Sequence, residues 1–150
     1  MSDNGNIDWR LVVRYNGVVQ RKLALLDNQL VRLESSLAGM DFEEFKASWE
    51  KRTLTERALQ VAVEIVIDVA ERIIAIEKAG PVATAAEAIE CLVQLKILAS
   101  ASPYVDMVRF RNLIVHQYEE VAPEILFELA TRRMGDFRAF RDEIDNLEKQ

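Results

Sequence analysis

Residues 53–78 read Thr-Leu-Thr-Glu-Arg-Ala-Leu-Gln-Val-Ala-Val-Glu-Ile-Val-Ile-Asp-Val-Ala-Glu-Arg-Ile-Ile-Ala-Ile-Glu-Lys. Leu54, Ala58, Leu59, Val61, Ala62, Val63, Ile65, Val66, Ile67, Val69, Ala70, Ile73, Ile74 and Ile76 cover most of the circumference of a helix over 54 to about 78. Thr53, with Glu56 three residues on, has the pattern of a capping box, and Gly80-Pro81 supplies the stop. A helix apolar on so many sides has to be covered by several neighbours. Arg57, Glu64, Asp68, Glu71 and Arg72 interrupt it too often for a membrane span. At 100° per residue Glu64 and Asp68 lie about 20° either side of Arg57, so the three form one narrow polar stripe. Such a stripe is either the solvated face of a central helix or the lining of a cleft.

The flanking sequence supplies the neighbours. Leu11, Val12, Tyr15, Val18, Val19, Leu23, Leu26, Leu30, Leu33 and Leu37 predict a long amphipathic helix from about Asp8 to Leu37. Gly39 is its stop, and Asn16-Gly17 is a weak spot inside it. Asp41 caps a short helix on 41–49 that carries Phe42, Phe45 and Trp49. Thr84 to about Leu98 gives another helix, in which Cys91 packs as a small hydrophobe. After the connector Ala99–Pro103 the period resumes over 104 to about 120, and a last helix runs from Pro123 to about Leu147. The expected fold is all-α: an antiparallel bundle of about five helices forming one domain over 1–150.

Composition supports this. The chain has 150 residues, half of them apolar and 29% charged, with only five glycines and three prolines. That is enough apolar content for a core and too few turn residues for a strand-rich fold. Cys91 has no partner for an internal bridge, and the polar start Met-Ser-Asp-Asn-Gly-Asn lacks a secretory pattern, so a cytoplasmic, reducing location is expected. With 19 basic and 25 acidic residues the net charge is −6, which exerts no general pull on nucleic acid. Every basic residue between Lys96 and Lys149 is an arginine: Arg109, Arg111, Arg132, Arg133, Arg138 and Arg141. Guanidinium forks suit phosphate, and they equally suit ion pairs on a helical surface.

The chemistry concentrates in Phe110-Arg111-Asn112-Leu113-Ile114-Val115-His116-Gln117-Tyr118. His116 is the single histidine, which excludes His-rich metal clusters and the HExxH type, and no metal site is expected. Asn112 and His116, at i and i+4, share a face and are within reach of a hydrogen bond. Arg111 lies roughly 140° from His116 in an ideal helix. The two therefore converge through arginine's length, through a local distortion, or with the help of a second copy of the chain. A lone imidazole near a guanidinium suits RNA cleavage by an internal 2′-hydroxyl: the imidazole moves the proton, the guanidinium holds the phosphate, and no cofactor is required. On the residues alone, Arg111, Asn112 and His116 are equally a buried cluster satisfying its own hydrogen bonds.

The spacing Arg111-x4-His116-x-Tyr118, with Asn112 directly after the arginine, resembles the R-x4-H-x-Y signature of HEPN-domain proteins of the HepT toxin type. The segment Glu56–Glu64 resembles that group's central helix, and the all-helical plan is similar over nearly the whole chain. The resemblance implies a metal-independent endoribonuclease toxin, leaving 2′,3′-cyclic phosphate ends and acting as a homodimer whose paired motifs form the cleft. It implies Arg111 and His116 as the catalytic pair, Asn112 as a supporting group and RNA as substrate. It further implies a nucleotidyltransferase antitoxin of the MNT type that transfers AMP to Tyr118. A non-catalytic helical subunit that binds a nucleotidyltransferase is the alternative. Dimerisation is also expected from the 54–78 helix, whose apolar surface exceeds what a small bundle covers from one side.

Overall fold

The computed structural model describes residues 17–116 and 120–148, which form seven helices and no strand. In chain order these are α1 (Val18–Leu37), α2 (Phe42–Ala47), α3 (Trp49–Glu77), α4 (Ala85–Gln94), α5 (Ser102–His116), α6 (Pro123–Arg132) and α7 (Met134–Glu148). The long α3 is the axis and touches all six others. Thr55, Leu59, Ala62, Val63, Ile65, Val66, Ile67, Val69, Ala70, Ile73 and Ile74 are its buried residues. Its apolar girth is thus largely covered within one chain, so that girth gives no reason for a dimer; among its large apolar residues only Leu54 and Trp49 stay well exposed. No helix among the described residues is long and apolar enough to cross a membrane.

The local signals decide most of the boundaries. In α1 the stripe Val19, Leu23, Leu26, Leu30, Leu33 and Leu37 is buried against α3 and its neighbours. Gly17 stands at the N-cap with φ 77°, a positive-φ backbone open mainly to glycine, so the described helix begins at Val18 and does not run through Gly17; the expected stretch from Asp8 to Asn16 lies outside the described residues. Leu11, Val12 and Tyr15 lie outside the described residues. Asp41 caps α2 through a full capping box: Asp41 Oδ1 accepts from the Glu44 amide at 2.8 Å, and Glu44 Oε1 accepts from the Asp41 amide at 3.1 Å.

Other boundaries and their signals differ from the sequence reading. The central helix starts at Trp49, not Leu54, because Ser48 Oγ accepts from the Lys51 amide at 3.1 Å and supplies the cap first. Thr53 is then inside the helix, and the Thr53–Glu56 box does not form. The other end of α3, Glu77, falls where expected, but the stop is Lys78 and not Gly80: Lys78 adopts a left-handed conformation and the Ala79 amide returns to the Ile74 carbonyl at 3.0 Å. Gly80 serves packing instead, since a Cβ there would stand 3.2 Å from Ile74 Cγ2. Helix α4, capped by Thr84, ends at Gln94; Lys96 turns left-handed and Leu98 folds back into the core. The expected 123–147 helix is two helices that break at Arg133 (φ −111°, ψ 8°), so that Met134, Phe137, Phe140 and Ile144 are brought into the core from a new direction.

Candidate active site on helix α5

Helix α5 carries the sequence motif, and its first half is clamped. Tyr104 is buried and edge-on to Phe140, with ring centroids 5.4 Å apart. Its hydroxyl donates to Glu143 Oε1 at 2.8 Å, while Glu143 Oε2 accepts from the Ala99 amide at 2.8 Å. One carboxylate on α7 thus ties down both the start of α5 and the loop before it. Burial, reinforced by that carboxylate, pushes the Tyr104 phenol well above its usual value. Met107, Val108 and Phe110 complete the packed face. The space that Met107 and Phe110 share with Leu59, Val63, Leu129 and Phe137 is about 20 Å³, room for about one water, and cannot receive a substrate.

The second half of α5 behaves differently. Asn112, Val115 and His116 are exposed, and Arg111 is half-buried. Although Asn112 and His116 share a face, no hydrogen bond joins them among the described residues. Arg111 turns the other way, onto α3: its Nη1 donates to Glu64 Oε1 at 3.2 Å, with side-chain exposures of 23% and 43%. The Arg111 Nε is sealed from solvent and has no acceptor among the described residues. The reading of Arg111, Asn112 and His116 as a mutually satisfied buried cluster therefore does not hold: the arginine's partner is on another helix and the other two face water. Tyr118 lies outside the described residues; the chain next returns to α3 at Glu120 and Val121, where the Val121 amide donates to Glu56 Oε1 at 3.4 Å. Among the described residues, no three His, Cys, Asp or Glu side chains gather as a metal site would require.

The polar stripe of α3 lies beside this site. Glu64 meets Arg111, Asp68 meets Lys22 Nζ on α1 at 3.3 Å, and Arg57 lines a surface groove with Gln29, Arg32, Leu33, Leu54 and Val61. Spacing singled out Glu64 but not its partner, because the two residues are 47 apart in the chain. The C-terminal arginines are engaged elsewhere. Arg138 forks onto both carboxylate oxygens of Glu34, Arg141 meets Asp27 at 2.7 Å and Asp145 at 2.9 Å, Arg133 meets Asp136 at 2.7 Å, and Arg132 faces Glu128 at 3.8 Å. They form ion pairs, and those of Arg138 and Arg141 fasten α7 to α1.

Known proteins share this fold. The model of the family described as ribonuclease HepT-like matches residues 26–144. The tRNA nuclease HepT of Aphanizomenon flos-aquae is 27% identical over 112 residues, covering 73% of this chain and 76% of that protein. A tri-AMPylated HEPN toxin of Shewanella oneidensis, solved in complex with an MNT antitoxin, superposes with a TM-score of 0.80 at 24% identity, over 87% of this chain and 98% of that one. YutE, a cytosolic Bacillus subtilis protein of unknown function, superposes with a TM-score of 0.73 at 16% identity, covering 85% of each chain. At such identities the two structures establish likeness of fold.

Proposed function

The chain belongs to the HepT-like ribonuclease family, and from that membership we propose that it is a metal-independent endoribonuclease toxin in which Arg111 and His116 perform the cleavage. The observation that carries this is the split character of α5, with a packed first half and a second half that presents Asn112 and His116 to solvent beside a tethered Arg111. The His116 imidazole takes the proton of a ribose 2′-hydroxyl, and the 2′-oxygen attacks the adjacent phosphorus. The 5′-oxygen leaves with a proton, giving a 2′,3′-cyclic phosphate and a 5′-hydroxyl. The Arg111 guanidinium hydrogen-bonds the phosphate oxygens as charge builds on them, and Asn112 supports it from the neighbouring position.

Arg111 faces α3 while His116 faces outward, so one copy of the chain does not bring both onto one phosphate, and a homodimer completes the cleft. Val115, 54% exposed beside His116, offers that partner an apolar contact. Transfer RNA, the substrate in the Aphanizomenon relative's name, is the first substrate to try. By the precedent of the Shewanella complex, an MNT-type nucleotidyltransferase is the neutralising partner: the Tyr118 oxygen attacks the α-phosphorus of ATP, the bond to pyrophosphate breaks, the phenolic proton passes to solvent, and the charge and bulk of the attached AMP block the RNA. A cytoplasmic site of action goes with such a substrate.

The test is RNA cleavage in EDTA. The protein should cut and leave cyclic phosphate ends, while His116→Ala and Arg111→Ala should each lose the activity with an unchanged thermal melt; full activity in both variants would refute the assignment. The acidic balance favours one other reading, a docking subunit for the transferase. Growth arrest on expression that is relieved by His116→Ala would exclude it.

A further inference from the structure

Glu64 has no part in the chemistry above, yet among the described residues its carboxylate is the one polar group that Arg111 meets. A guanidinium has five N–H donors. In Arg111 the Nε donor is walled off with no acceptor among the described residues, and one Nη1 donor is held by Glu64 Oε1 at 3.2 Å. The remaining donors, on Nη1 and Nη2, are those left for a phosphate. The side chain is thereby fixed at two points: its stem is buried against the bundle and one corner of its fork is pinned by an anion on the central helix. An arginine at the surface of a helix otherwise samples many rotamers, and a phosphate must first collect it from them.

We infer that Glu64 is a positioning residue that presets the Arg111 fork for the scissile phosphate. This rests on the reading of Arg111 as the phosphate-binding group. The opposite arrangement, a carboxylate competing with the phosphate for the same arginine, predicts opposite behaviour on removal. If Glu64 positions, the preset geometry is lost and turnover falls; if it competes, its loss frees the arginine and turnover rises. The site is suited to the experiment, because the Glu64 side chain is 43% exposed and its substitution leaves no cavity.

The experiment compares the full-length protein with Glu64→Ala, Glu64→Gln, Arg111→Ala and Glu64→Ala/Arg111→Ala in single-turnover cleavage of total tRNA, alongside thermal melts. Misplacing a reacting group by an ångström costs on the order of 10²-fold. Glu64→Ala should accordingly lose about 10²-fold in rate, with the tRNA concentration at half-saturation nearly unchanged and the melting temperature preserved. Glu64→Gln, which keeps an acceptor oxygen, should recover a large part of the rate. In the Arg111→Ala background Glu64→Ala should have no further effect, since the two residues act as one unit. Parental or higher activity in Glu64→Ala, or a loss that follows the melting temperature in both Glu64 variants, would overturn the inference while leaving Arg111 in place. Activity in Arg111→Ala would instead overturn the functional reading, and this inference with it.

Discussion

Two buried polar atoms lack a partner among the described residues, Thr55 Oγ1 and Arg111 Nε, and they differ in kind. Thr55 sits wholly buried on the packed face of α3, where its hydroxyl serves no interaction. Replacing it with the equally shaped Val removes an unmet hydrogen bond, so Thr55→Val should raise the unfolding free energy by about 1 kcal/mol. Urea titration measures this, and a loss of stability would mean that the hydroxyl is bonded. The orphan in Arg111 lies instead in the candidate site, on a side chain already committed to Glu64. How much of that site is legible in sequence follows from distance along the chain. That Asn112 and His116 share a face follows from their i, i+4 spacing; their exposure does not, and the hydrogen bond the spacing allows is not made among the described residues. The Arg111–Glu64 pair was invisible, because contact between residues on α3 and α5 depends on how the helices pack and not on any local period.

At the scale of elements, the 3.6-residue apolar period locates every helical stretch among the described residues but reads the two helices over 123–148 as one, and local chemistry places the boundaries only where one signal stands alone. Asp41 caps where expected, and Thr84 caps the helix expected to begin there. Around α3 two candidate caps stand five residues apart, and Ser48 pre-empts Thr53, since the residues between them are compatible with helix. The break at Arg133 was hidden because apolar spacing continues through it from Leu129 to Met134 and Phe137. Gly135, a poor helix former beside the break, was the one signal available. Since α3 contacts every other helix, its interior should be the most sensitive part of the molecule. Ile73, fully buried, should cost about 2–5 kcal/mol when changed to Ala. Denaturant unfolding checks this, and a loss below 1 kcal/mol would mean that the surrounding helices close the cavity or pack α3 less tightly than described.

For the whole molecule, the distribution of charge constrains function more than its sum. Arg132, Arg133, Arg138 and Arg141 are paired with acids, two of them across to α1, so these four serve the bundle and not phosphate binding. That outcome could not be read from sequence, because Asp27 and Glu34 are more than a hundred residues away from their partners. The Tyr104–Glu143 clamp makes stability pH-dependent. The phenol's folded-state pKa is raised above its unfolded value of about 10. Its contribution is therefore complete below about pH 10 and is lost as the pH climbs toward the folded value. Between pH 8 and 11 the urea midpoint should fall further in the parent than in Tyr104→Phe, and an equal fall in both would refute the clamp. The central claim is that two copies of the chain join one Arg111 and one His116 around a ribose phosphate. The direct measurement is metal-free tRNA cleavage by Arg111→Ala and His116→Ala, each refolded alone and then refolded together. The prediction is that neither cuts alone and that the mixture, containing hybrid dimers, regains part of the parental rate and leaves 2′,3′-cyclic phosphate ends; a mixture as inert as its components, or single variants that cut like the parent, would contradict it.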